Sequence, residues 1–155
     1  MQDEEYEQKM LEAFVGKEDK FLWYQNAFSK FNINGVDAIK WHWSWWGLFG
    51  GFIFLLYRKA YLASLVLFMA SITIGMFFPF SLIIAVLAGG YSTYFIYKAY
   101  KSQKQTIEAV IEDKEKRVET MKEIGGYHQW VVWVYGIFTV VVMAVITTMV
   151  LQLSH

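Results

Sequence analysis

The sequence predicts an all-α integral membrane protein: three transmembrane helices plus a short Trp/Gly-rich re-entrant or interfacial helix, with amphipathic helices on the cytoplasmic side. Four transmembrane helices are the alternative. Three observations lead there. Residues 60–97 carry no charged side chain, and at 1.5 Å per residue that run is nearly two bilayer crossings long. Residues 130–151 form a further charge-free run of full span length. Every Lys, Arg, Asp and Glu falls in residues 1–40, at Arg58-Lys59, or in residues 98–123.

Composition points the same way. Of 155 residues, 56% are hydrophobic and 19% aromatic, above the roughly 45–50% apolar content of soluble domains. One membrane domain with polar appendages suits this length. The formal net charge is zero, and without a basic stripe nucleic acid is not an expected partner. The absence of cysteine removes disulfides, thiolate catalysis and cysteine metal sites. The opening MQDEEYEQKM is acidic, with no basic segment leading into an apolar one, so no cleavable signal peptide is expected.

Residues 1–40 read as a cytoplasmic amphipathic helical region. A weakly amphipathic acidic stretch over 3–15 is broken at Gly16-Lys17, and Glu18-Asp19 open a second helix. Phe21, Tyr24, Phe28 and Phe31 recur on one face of it, and Asn32-Ile33-Asn34-Gly35 stops it. That aromatic face suits packing on neighbouring helices or lying in the membrane interface.

The membrane region spans 41–97. Its first part, 41–57, holds Trp41, Trp43, Trp45 and Trp46 with Gly47, Gly50 and Gly51, and stops at Arg58-Lys59. At seventeen residues it is short for a bilayer of about 30 Å, and its glycines suit an irregular element shielded by protein. Spans follow over 61–78 and 81–97, separated at Phe78-Pro79-Phe80-Ser81, with Ser81 placed to cap the second. Ser71 and Gly75 on the first, and Ala85, Gly89 and Thr93 on the second, are small residues at four-residue spacing. That spacing allows close helix packing, within the hairpin or between copies of the chain.

Residues 98–126 read as a cytoplasmic charged helix. Its apolar stripe is Ile107, Ile111, Val118 and Met121, and Glu112–Lys116 and Asp113–Arg117 are spaced as helical ion pairs. Gly125-Gly126 end it. So long a helix must lie along the surface or turn back, with a break expected near 102–106. The last span, 130–151, is anchored by Trp130 and Trp133. With three spans and a re-entrant 41–57, all the cations face the cytoplasm, as the positive-inside rule asks.

The order Trp43-Ser44-Trp45, Phe49-Gly50, the run to Leu56, Tyr57-Arg58-Lys59 and Tyr61 resembles the signature of domain of unknown function 2628, a family of small bacterial membrane proteins. The chain departs from that pattern at Ala60, where methionine is common, and at Trp46-Gly47, where small or apolar residues are common. The resemblance implies the bacterial inner membrane and adds no catalytic residue.

No catalytic motif emerges from the residues themselves. The histidines stand at 42, 128 and 155, so a metal or haem would have to draw His42 and His128 together; neither belongs to a His-x-x-x-His or carboxylate pattern. No cofactor is expected. The spans offer hydroxyls and no charges, which argues against proton-coupled transport. The expectation is therefore a non-catalytic accessory, assembly or scaffold component, multi-pass in the inner membrane with its N-terminus cytoplasmic. Its expected partners are the lipid bilayer and another membrane protein or itself. The alternative is a subunit of a homo-oligomeric channel or transporter.

Overall fold

A computed structural model describes residues 2–33, 35–74, 77 and 79–153. Those residues form α1 (Gln2–Val15), α2 (Glu18–Phe31), β1 (Asn32–Ile33), β2 (Val36–Asp37), α3 (Trp45–Tyr57), α4 (Tyr61–Thr73), α5 (Phe80–Val110), α6 (Lys114–Ile124) and α7 (Gln129–Leu153). Two helices, α5 and α7, are long and apolar enough to cross a membrane. The apolar helices α3 and α4 have 13 residues each, which in α4 is about 16–20 Å of rise. The expected span 61–78 thus ends as helix at Thr73, and Gly75 lies outside the described residues.

The N-terminal helices build a head around an aromatic core. Gly16, at φ +66°, lets α1 stop in the left-handed conformation that favours glycine, and its N–H closes on Glu12 O at 2.9 Å. α2 then folds back so that Tyr24, Phe28 and Phe31 are buried. Phe28 meets Tyr97 at 5.3 Å between ring centroids and Phe14 meets Tyr100 at 5.1 Å, so both helices pack on the second half of α5. Met121 of α6 and Met10 of α1 are fully buried in the same core. The aromatic face of α2 is covered by protein.

A small antiparallel ribbon follows α2, pairing Asn32 with Asp37 and Ile33 with Val36. Asn32 Oδ1 accepts from Gly35 N at 2.9 Å, and Gly35 sits at φ +84°. This ribbon qualifies the all-α expectation. Asn34 lies outside the described residues.

Helix α5 departs most from expectation. It runs unbroken for 31 residues, about 46 Å, through the point at 97–98 where the sequence turns from apolar to charged. No break occurs at 102–106, where Thr106 Oγ1 bonds the Ser102 carbonyl in regular helical fashion. The chain breaks instead at 111–113, because Asp113 caps α6 by accepting from Glu115 N at 2.8 Å and Lys116 N at 3.3 Å. With Glu112 and Asp113 outside the helix, the expected pairs with Lys116 and Arg117 do not form; Arg117 donates to Ile111 O and Glu108 O. Ser81 does not cap α5, which starts at Phe80 with no side-chain cap.

Helix α3 doubles back on itself. Just before it, Ser44 N bonds Gly89 O at 2.8 Å. Residues 48–53 then reach a cleft shared with Ser81, Ile84 and Ala85, nearer the start of α5. At Gly51, φ 49° and ψ −127° break the helix; that conformation is essentially open to glycine alone. The chain returns until Arg58 lies over the rings of Phe14 and Tyr24, beside Tyr100. Both ends of α3 are therefore on the head side of its tip. α4 descends alongside, with Phe52 and Phe68 rings 4.9 Å apart and Ser64 Oγ donating to Phe52 O at 2.7 Å. α7 starts beside Tyr57, whose carbonyl accepts from His128 N at 2.9 Å. Beyond Val131 every α7 residue from 132 to 152 is exposed.

Candidate functional site

The residue order Tyr57-Arg58-Lys59-Ala60-Tyr61 places two adjacent cations where three helices end. α1 finishes at Val15, α3 at Tyr57 and α6 at Ile124. Each end presents carbonyls without helical partners and the negative pole of its dipole. Neither α1 nor α3 has a basic residue in its own last turn. The cations come from the turn after α3.

Arg58 is only 4% exposed. It donates from Nη1 to Val15 O at 3.1 Å and stands 4.6 Å from the Tyr24 ring centroid and 5.7 Å from that of Phe14. A desolvated cation over aromatic faces gains about 2 kcal/mol or more, and the end of α1 adds up to about 2 kcal/mol in a buried geometry. No carboxylate pairs with Arg58 among the described residues, and its Nε and Nη2 have no hydrogen-bond partner there. The sequence alone reads it as a stop signal; in the fold it is a buried part of the head.

Lys59 adopts a left-handed φ of 57°, uncommon for a residue with a side chain. That turn sends Nζ to Ile124 O at 3.0 Å and to Gly125 O. Burial, then the neighbouring Arg58 charge, pulls its ammonium below the ordinary lysine range. The ends of α1 and α6 meet without side chains between them. Gly126 N bonds Phe14 O at 2.8 Å, and a Cβ on Gly125 would fall 2.8 Å from Phe14 Cα. Around this joint Tyr57 packs on Tyr127 at 5.2 Å, Lys17 lies 4.5 Å from the Tyr127 ring, and Tyr61 Oη meets His128 Nε2 at 2.6 Å. The arrangement holds two adjacent cations on the carbonyl ends of α1 and α6.

The other signature residues lie at the opposite end of α3. His42 N and Ser44 N bond the carbonyls of Gly90 and Gly89 at 2.9 and 2.8 Å, so an extended strand lies across α5. The approach is tightest at Gly90 and Gly47. A Cβ on Gly90 would meet the Trp41 ring at 2.4 Å, one on Gly89 would meet Trp43 and Leu48 at 3.2 Å, and one on Gly47 would fall 2.6 Å from Ala88 O. Trp43 packs edge-on to Trp45, which stacks on Phe49, and Phe49 is exposed. Gly50 lines the cleft at the tip of α3, a space of about 250 Å³ shared with Ser71, Ala85 and Tyr135. Thr93 is fully buried. Gly89 thus makes its close contact within the chain.

The two histidines do not come together. His42 lies between the rings of Trp23 and Phe31 at 5.0 and 6.2 Å, whereas His128 lies among Tyr57, Tyr61 and Trp130. No cluster of three or more His, Cys, Asp or Glu suited to a metal occurs among the described residues.

Sequence reasoning missed Asp37. Its carboxylate takes Tyr97 Oη at 2.7 Å, Lys101 Nζ at 2.6 Å and Lys98 Nζ at 3.0 Å, tying the ribbon to α5. Lys101 first, then Tyr97, holds its carboxyl well below the usual carboxylate range. Nothing local marks this residue, since its partners are about sixty positions away. Sequence reasoning takes Gly89 as a small residue for helix packing, but misses the strand that lies on it and on Gly90.

Fold and site together define a helical protein whose charged head is joined, through a knot of helix ends, to an apolar body with two helices long and apolar enough to cross a membrane. No protein-family model matches the chain, and no curated protein or solved structure matches it.

Proposed function

We propose that this chain is a non-catalytic accessory, assembly or scaffold protein of the bacterial inner membrane, which holds a cytoplasmic helical head at the bilayer for a partner membrane protein. The observation that carries the reading is the division of the molecule. Charged helices are gathered on an aromatic core at one end of α5, while α7 leaves its apolar side chains bare from 132 to 152. An apolar surface of that extent is a membrane or protein interface in a native protein.

In this reading α4, the first half of α5 and α7 cross the bilayer, and α3 is re-entrant with its tip at Gly51. The fold-back of α3 supports it, since Ser44 and Arg58 both lie toward the head. The likeness of Trp43–Tyr61 to domain of unknown function 2628 stands beside this as a further proposal. Copurification after gentle solubilisation is the test. A partner recovered repeatedly in fixed proportion supports the reading; a protein that always emerges alone and monomeric overturns it. A homo-oligomeric channel built through Gly89 would need a surface already filled by Trp43 and Leu48.

A further inference from the structure

The ribbon and the strand after it leave an apolar surface uncovered on the head. Val36 is 69% exposed and Ile39 70%, with Ile33 on the paired strand, and Trp41 and Trp46 continue the surface toward α3. It is not a loose loop. Asp37 is fixed to α5 by Tyr97, Lys98 and Lys101, and the strand is fixed by the carbonyls of Gly89 and Gly90. These two attachments lie about 10 residues apart along α5, roughly 15 Å. Apolar tips and tryptophans are therefore held along one flank of the helix, where the head meets the apolar body.

The charge around this surface is one-sided. Between Lys20 and Arg58 the only acidic residue in the sequence is Asp37, and it is already bound by two lysines. Lys30 and Lys40 are exposed and make no ion pair among the described residues. Lys30 is close enough for its charge to act on His42, beside Trp41. Exposed aliphatic tips, interfacial tryptophans and unpaired lysines on one fixed surface match a layer that is apolar below and anionic above.

We propose that the ribbon tip seats in the headgroup layer of an anionic bilayer, with Lys30 and Lys40 on lipid phosphates, while the strand that begins at Trp41 runs from it along α5 toward the apolar layer. This rests on the reading that α5 and α7 cross the membrane. The seat would fix the height and rotation of the head over the bilayer, and the lysines would make it prefer anionic lipid.

The chain has no cysteine, so single cysteines can carry an environment-sensitive fluorophore in the full-length protein. Val36→Cys and Ile39→Cys report the seat, Glu112→Cys at the far end of α5 reports water, and Val142→Cys reports the middle of α7. Each variant goes into nanodiscs of phosphatidylcholine alone or mixed with phosphatidylglycerol, with iodide as the aqueous quencher and shallow or deep spin-labelled lipid as the membrane quencher. Expected are shielding of the Val36 and Ile39 probes from iodide and their quenching by shallow labels, both stronger with phosphatidylglycerol. Adding Lys30→Gln or Lys40→Gln should weaken the seated state about fivefold per lysine. Probes at 36 and 39 as open to iodide as that at 112, while Val142 is quenched by deep labels, would overturn the seat and leave the membrane reading intact. Failure of deep labels to quench Val142 overturns both. Shielding without lipid quenching overturns the lipid seat in favour of a protein contact.

Discussion

Helices α5 and α7 are the two longest in the molecule and both carry apolar stretches of span length, yet they live in different surroundings. α5 buries Ala88, Gly89, Gly90, Ser92, Thr93 and Tyr94 along its apolar half, whereas α7 buries Val131 and nothing further along. The difference teaches what each is for. α5 is the post on which α2, α3 and the strand are hung, and its small residues exist to let backbones approach. Among its described residues α7 is buried only where it begins, and its Val- and Met-rich surface asks for a solvent as apolar as itself.

Glycine substitutions should separate the two most sharply. Gly47→Val puts its Cβ 2.6 Å from the backbone Ala88 O, and overpacking there should cost about 1–3 kcal/mol or more. Gly136→Ala on α7, with nothing within 4 Å, should stay within roughly 0.5 kcal/mol. Thermal unfolding in detergent checks both, and equal effects would mean that α5 is no more enclosed than α7.

Arg58→Ala should come next, at about 2–4 kcal/mol, because it opens a space between Phe14 and Tyr24 and leaves Val15 O without its donor. The loss should appear as easier proteolysis of α1 and α2, with α7 still protected in vesicles. Protection lost equally in both regions would show that Arg58 supports the whole molecule and not the head.

Compartment tests sharpen the comparison without touching stability. With Gln2→Cys and Ser154→Cys in intact cells, a membrane-impermeant thiol reagent should label position 154 and spare position 2. Labelling of both would mean that 41–57 crosses the bilayer after all.

Asp37→Asn should have the smallest effect, about 1 kcal/mol for a partly exposed charged network. Its carboxyl is held below its ordinary value of 3.8 by Lys101 and Tyr97. A depressed carboxylate stabilises the fold in full above that ordinary value and loses the contribution as pH falls through the lower, folded one. The mutant should therefore close its gap to the parent in acid; a gap that widens on acidification would reverse the assignment.

Much of the helical layout is legible in the sequence because it follows from solubility. Charge-free runs mark α4, α5 and α7, and Gly16 and Gly125-Gly126 mark ends that the fold uses. The boundary at Lys98 misleads for a physical reason: a change from apolar to charged residues marks a change of surroundings, while the backbone sees good helix formers on both sides and Tyr97 and Tyr100 packing on α2. The break at 111–113 has no Gly or Pro to announce it, and Asp113 serves as a cap where its spacing suggested an ion pair. The joint at Arg58-Lys59 was hidden because its acceptors, Val15 O, Ile124 O and Gly125 O, are backbone atoms far along the chain, and carbonyls carry no sequence signature.

The continuity of α5 has a mechanical side. If α5 crosses a bilayer, a helix without a hinge between body and head acts as a lever, and helices of fixed length answer changes in bilayer thickness by changing tilt. Over about 46 Å of helix, a tilt of about 10° moves the far end sideways by roughly 8 Å relative to its start. In such a bilayer the position of the Glu108–Asp113 end would follow membrane thickness, and any partner gripping the head would feel the lipid through it.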